Sequence, residues 1–256
     1  MIIPSNIIWF DDDDWLGLEL SFPAGSTWRL TKKIKESEDI YSQSDHEDDV
    51  AISEARAVFV ASRGPGAAPT TAVLKVHMHR YRIPWWGSAT KKPLIRAQQA
   101  VPETSTRGTR EVEALTLLTK AGCSSTPHLI DWMKRQQTQD EWVPGGYIHF
   151  IVMEKVPGVD VSLNFDTLDR KERDELRAAF KTSFLECTAC GIVNRDSGSQ
   201  NLRWDAERQK CYIIDWEMHH PSRKRDEIWS DKKFISWNLA RVGEDGDYDD
   251  MSTWTL

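Results

Sequence analysis

No stretch of this sequence approaches the roughly 18 consecutive apolar residues that a membrane-spanning helix needs. The N-terminus, Met1 to Trp15, holds apolar side chains but lacks the basic start and longer apolar core of a secretory signal, and it runs into four aspartates at Asp11–Asp14. A cytoplasmic protein with no membrane partner is expected. Cysteine is scarce too. Cys123, Cys187, Cys190 and Cys211 are too few and too scattered for a disulfide framework. Cys187 and Cys190 form a C-x-x-C, yet zinc needs a second pair of ligands and none stands at suitable spacing. A redox pair wants its first cysteine at a helix start, whereas this pair falls late in a helical pattern. Both read as small core-facing residues. Positive charge is in deficit, with Lys+Arg 33 against Asp+Glu 40 and a formal net charge of -7. That disfavours a bulk grip on nucleic acid or an anionic membrane.

What is present suits an ordinary globular protein. The 256 residues are 39% hydrophobic and 29% charged, enough for one large or two-lobed domain with a sizeable core. Tryptophan is abundant. Trp85, Trp86, Trp204, Trp216 and Trp237 could line a pocket, although packing is the commoner use of the indole.

Alternation of side chains predicts strands at Trp28–Ile34, Ala55–Val60 and Thr71–His77, an antiparallel meander at the N-terminal end. Two stretches between them read as loops: Glu36–Asp49, rich in Ser, Asp and Glu, and Ser62–Thr70, rich in Gly and Pro. Arg107–Lys120 has Val112, Leu115 and Leu118 at helical steps, with Thr106 or Thr109 as cap and Gly122 beyond the end. Tyr147–Met153 predicts a strand, and Glu154–Gly158 a linker. Leu168–Cys190 predicts a helix that buries Leu176, Phe180, Phe184 and Cys187. A polar loop, Ile192–Asn201, leads to short strands at Leu202–Trp204 and Tyr212–Ile214. A further helix is expected near Lys233–Ala240, and the final GEDGDYDDMSTWTL reads as loose. The order gives an α+β layout in two lobes.

Chemistry concentrates in two places. Asn194-Arg195-Asp196-Ser197-Gly198-Ser199-Gln200-Asn201 sets an aspartate and an asparagine on one loop, five residues apart. Ile213-Ile214-Asp215-Trp216-Glu217 adds an acidic turn one hairpin later. Upstream, Ala72-Val73-Leu74-Lys75 sets a lysine on a strand, and Glu111 stands on the following helix. Taken in order, these pieces resemble the protein-kinase-like superfamily, which includes aminoglycoside phosphotransferases and choline kinases. The loop resembles H-R-D-x-x-x-x-N, with Asn194 where that family usually has histidine. Asp215-Trp216-Glu217 resembles the D-F-G position, closer to the D-x-E form of small-molecule and fungal kinase-like proteins, some of which sit among biosynthetic enzymes of secondary metabolism.

The resemblance spans roughly residues 28–220. It implies a single kinase-like domain over 1–256, with a small antiparallel-sheet N-lobe at about 20–154, a reduced helical C-lobe at 155–240 and a tail at 241–256. It implies ATP and Mg²⁺ as cofactors. Lys75 would meet the α- and β-phosphates, and Glu111 would hold Lys75. Val152–Gly158, with Glu154, would form the adenine-binding hinge. Asp196 would orient an acceptor hydroxyl or amine on a small-molecule substrate, and Asn201 and Asp215 would hold the metal. Two departures point elsewhere. No G-x-G-x-x-G precedes Lys75, and few residues follow Asp215. These favour the alternative of an inactive, pseudokinase-like binding module. A third reading is another transfer on the same scaffold, as in the tRNA-dependent arginine-containing cyclodipeptide synthases of fungi. Their D-D-x-x-E is absent here. For tRNA the obvious basic residues are Lys32, Lys33, Lys35 and Arg223-Lys224-Arg225, which otherwise read as a solvated face. Oligomeric state cannot be read from the sequence.

Overall fold

Along Glu54–Ser62, Ala55, Ala57, Phe59 and Ala61 are buried at every second position, the pleat of a strand with one face in the core. The computed structural model describes residues 8–39, 52–64, 69–80, 92–101, 105–224, 226 and 228–256. Within them the fold is mixed α+β, and the chain divides into two compact units, Met1–Thr109 with Leu129–Lys155, and Arg110–His128 with Val156–Leu256.

The first unit is built on a six-stranded antiparallel sheet. After a short helix α1 (Asp12–Trp15) come β1 (Glu19–Ser21), β2 (Thr27–Asp39), β3 (Glu54–Ser62) and β4 (Thr71–His79), then α2 (Pro93–Ala97), β5 (Leu129–Gln136) and β6 (Tyr147–Glu154). Spatial order is β1-β2-β3-β4-β6-β5. The predicted N-terminal meander is present as β2, β3 and β4. One sheet face, carrying Phe59, Leu74, Val76, Phe150 and Val152, packs on Trp9, Phe10, Trp15 and Trp28. The register pairs Lys75 with Val58 and Ile151, and His77 with Arg56 and His149. Those residues alternate with the apolar set, so they belong to the opposite face.

Strand β2 runs further than the sequence suggested, because Glu36–Asp39, read as loop, extends it. Its acidic side chains have remote partners. Glu36 accepts from the Trp9 backbone N–H, Glu38 from the Trp9 indole and from Arg80, and Asp39 pairs with Arg56. The rest of that stretch and the centre of the Gly/Pro loop, with Trp85 and Trp86, lie outside the described residues.

The second unit holds helix α3 (Thr106–Lys120) from Arg110 onward. Its cap differs from expectation: the Ser105 hydroxyl accepts from the Gly108 N–H at 3.0 Å, where Thr106 or Thr109 had been expected. Val112, Ala114, Leu115 and Leu118 are buried, and Leu117 points outward. Then follow β7 (Val159–Asp160), the short helix α4 (Val161–Asn164) and the long helix α5 (Arg170–Ala189). Helix α5 buries the predicted face of Leu176, Phe180, Phe184 and Cys187. Gly191, at φ 96°, turns the chain into β8 (Ile192–Asn194), so part of the expected polar loop is strand. A hairpin of β9 (Leu202–Asp205) and β10 (Lys210–Ile213) is followed by β11 (His219–Pro221), and a helix α6 (Lys232–Ser236) is shorter than expected. The C-terminal residues are not loose throughout. Strands β12 (Arg241–Val242) and β13 (Trp254–Thr255) pair, with Trp254 buried. Trp204, Trp216 and Trp237 are likewise buried and serve as core.

Candidate active site

Helix α5 ends where the Asp196 loop begins, and that loop closes against the Asp215 turn at both ends. On one side β8 pairs with β11, setting Asn194 opposite His219, and the Arg195 N–H donates to the Met218 carbonyl at 2.9 Å. On the other, β9 pairs with β10, and the Ile214 N–H donates to the Asn201 carbonyl at 2.9 Å. Two segments far apart in sequence are thereby zipped into one backbone frame.

Side chains tie the middle. The Asn194 amide donates to the Asp215 carbonyl at 2.7 Å, while its Oδ1 accepts from the Asp196 N–H at 2.8 Å. The Asn201 amide donates to the Asp196 carbonyl and to Asp196 Oδ2, each at 2.8 Å. Asn201 is buried, whereas Asp196 and Asp215 are half-buried. The third tie comes from α3. Glu111, fully buried, accepts the Trp216 N–H at 3.3 Å, and Arg110 donates to the His219 carbonyl at 2.6 Å. The Trp216 indole, also buried, donates to the Ile213 carbonyl at 3.1 Å. Glu113, two residues along α3 from Glu111, is exposed.

Asp215 itself stands at φ 62°. A left-handed backbone costs a residue with a Cβ about 1–2 kcal/mol, and such conformations gather where the surroundings over-determine them. Bonds to its own carbonyl and to the next residue's N–H hold it here. One turn carrying Asp215 thus stands beside a loop carrying Asp196.

Of the six residues singled out in the sequence, Glu111, Asp196, Asn201 and Asp215 come together in the second unit. Lys75 and Glu154 belong to the first. Lys75 is buried on β4, and Glu154 ends β6, three rungs along the ladder at the Ala72 register. The stretch read as a hinge is where the chain passes from the first unit to the second, at Lys155–Val156. Sequence reasoning treated Asn194 only as a departure from histidine and gave Trp216 no backbone role. The one available signal for Asn194 was its position immediately before the Arg-Asp pair.

The Asn201 nitrogen is spent on Asp196, which leaves the amide oxygen as the atom it could offer a cation, and carboxylate and amide oxygens are what a hard divalent cation such as Mg²⁺ takes. Lys33, one of the basic candidates for tRNA, is engaged by Asp12, Glu36 and the Phe10 carbonyl, and Arg225 lies outside the described residues. Among the described residues no helix is long and apolar enough to cross a membrane. No protein-family model and no curated protein sequence matches the chain.

Proposed function

We propose that this protein is a kinase-like phosphotransferase of two lobes that uses ATP and Mg²⁺ to phosphorylate a hydroxyl or amine of a small molecule. One observation carries the reading: the Asp196 loop and the Asp215 turn are bonded to each other at both ends and through Asn194. The left-handed Asp215, tied on both sides, supports the reading, because backbone strain of this kind gathers at functional sites.

In this reading Asp196 touches the acceptor. Its carboxylate orients the acceptor hydroxyl and takes up its proton, and the Asn201 amide fixes which oxygen faces outward. Asn201 and Asp215 offer the oxygens that would hold the metal. Glu111 and Asn194 are positioning residues that keep the Asp215 turn in place. Lys75 is assigned to the nucleotide phosphates and the backbone near Glu154 to adenine, on the resemblance alone. Bound Mg²⁺ supplies neutralisation of the charge on the transferring phosphoryl group.

The absence of G-x-G-x-x-G before Lys75 favours a second reading, a kinase-like module that binds nucleotide without turnover. One titration separates the two and exposes both. ATP binding is measured with and without Mg²⁺ on the wild type and on Asp215→Ala. The proposal expects Mg²⁺ to tighten binding at least tenfold, and Asp215→Ala to remove that gain. Slow ATP hydrolysis or transfer to a panel of amino alcohols, lost in Asp196→Asn by about a hundredfold or more, selects the enzyme. Binding without any turnover selects the module. ATP that fails to bind at all, or binds with no response to Mg²⁺ or Asp215, overturns both.

A further inference from the structure

Three of the four cysteines meet where α3 ends against α5. Cys123, just past α3, sets its sulfur 3.6 Å from that of Cys187 on α5, and both are buried. Cys190, one turn along and half-buried, also bonds to Cys123. The junction is clamped. Glu186 accepts from the Ser124 N–H at 2.7 Å, from the Ser124 hydroxyl at 2.8 Å and from the Ser125 hydroxyl, and His128 Nε2 lies 3.1 Å from the Cys123 carbonyl. Bonds from the two residues after Cys123 thus hold this stretch of chain against α5. The C-x-x-C that looked inert in sequence acquires a third thiol from 64 residues away.

We propose that Cys123 and Cys187 are a modification site: a thiol pair that a hydroperoxide converts to a reversible disulfide. A sulfur separation of 3.6 Å leaves about 1.5 Å to close to the covalent length. Cys123 is the nucleophile. Its thiol is held below the usual cysteine range, first by the hydrogen bond from Cys187, whereas the Cys187 thiol is raised by that same bond and by burial, and the Cys190 thiol is pushed up to about 11 by burial. The Cys123 thiolate attacks the peroxide oxygen, an S–O bond forms, the O–O bond breaks, and hydroxide leaves. The Cys187 sulfur then attacks the Cys123 sulfenic sulfur, the S–O bond breaks, and water leaves with the Cys187 proton. In sum, two thiols and one hydrogen peroxide give one disulfide and two waters. Cys190 is the more exposed neighbour. The bridge would staple α3 to α5 across a long loop, which raises stability. This inference is independent of phosphoryl transfer.

The test uses the full chain. Reduced protein is treated with stoichiometric hydrogen peroxide, free thiols are alkylated, and peptides are mapped without reductant. The expected product joins the Cys123 and Cys187 peptides, lacks two hydrogens, reverts with dithiothreitol, and melts several degrees higher than the reduced form. Cys190→Ser keeps the bridge. Cys187→Ala combined with Cys190→Ser loses it and leaves a sulfenic acid on Cys123 that dimedone traps. The wild-type map decides by itself, so a variant that fails to fold does not protect the proposal. A bridge through Cys190 or Cys211, or peroxide-treated protein whose Cys123 and Cys187 both stay alkylatable, overturns it.

Discussion

Aspartate tolerates a left-handed backbone better than most residues, because its short polar side chain bonds locally, and at φ 62° Asp215 relies on that tolerance. Glycine adopts the same conformation at no steric cost. The two demands on this position, shape and charge, can therefore be separated by substitution. Asp215→Gly removes the carboxylate and relaxes the backbone. Asp215→Ala removes the same carboxylate and keeps a Cβ in the strained region. The glycine variant is expected to be the more stable of the two by about 1 kcal/mol, read from denaturant midpoints at equal m-values. Both are expected to lose Mg²⁺-dependent nucleotide binding alike. Equal stabilities would mean that the turn is not held at positive φ. Retained metal dependence in either variant would overturn the metal role proposed for Asp215. The neighbouring Asn194 makes the same point differently. Its amide does a positioning job with three bonds, donated to the Ile214 and Asp215 carbonyls and accepted from the Asp196 N–H.

Helix α5 leads into the Asp196 loop, and its start is set by a reciprocal cap. The Asp169 carboxylate accepts from the Glu172 N–H at 2.8 Å, and Glu172 accepts from the Asp169 N–H at 3.2 Å. Asp169→Ala is expected to cost about 1 kcal/mol, seen as a fall in Tm of about 2–4 °C, with Asp169→Asn or Ser close to the wild type. A Tm unchanged by the alanine would show that packing of Phe180 and Phe184 alone fixes the helix. This element was legible in the sequence because its signals are local: a buried face at helical spacing and a glycine just beyond the end. Strands β3, β4 and β6 were legible for the same reason. What escaped depends on distant partners. Nothing local says that Glu36–Asp39 continues a strand, since Trp9, Arg56 and Arg80 are what offset its charges. The acidic composition near the C-terminus hid the anchoring of Trp254, whose indole donates to the Asp247 carbonyl at 2.8 Å. The candidate site divides the same way. The order and spacing of Asp196, Asn201 and Asp215 suggested that their segments meet, and the two segments share one hydrogen-bonded frame. The bond from Asn194 to a carbonyl 21 residues away and that from Trp216 to Glu111, 105 residues away, were not legible.

At the scale of the whole chain, charge and burial make opposite claims about acid. The formal net charge of -7 falls to zero near the isoelectric point of about 5.6. Self-repulsion therefore weakens on acidification from neutrality, which by itself favours the folded state. Two groups in the first unit act against this. His149 is held down to about 3 by burial, then by the nearby charges of His77 and Lys134. In the unfolded chain it protonates near 6.5. Because its folded value is depressed, its contribution is complete above about pH 6.5 and is lost progressively toward pH 3, as the unfolded state takes up the extra proton. Glu54 follows at lower pH. Burial works to raise its carboxyl, but the charge and hydrogen bond of His77 at 2.9 Å, with Ser105 and the Tyr147 hydroxyl at 2.8 Å, outweigh it and hold the group at about 2. Its contribution persists above the ordinary carboxylate range and drains away below about pH 4.5. Stability is thus expected to decline by about 1 kcal/mol per pH unit below pH 6.5 and to steepen below 4.5. His149→Gln is expected to flatten the first limb and leave the second, whatever it does to stability at pH 7.5. Denaturant midpoints taken from pH 7.5 to 3.5 measure both limbs. A wild type that grows more stable down to pH 5.6, or a variant with the same slope, would show that net charge governs and that the buried histidine does not.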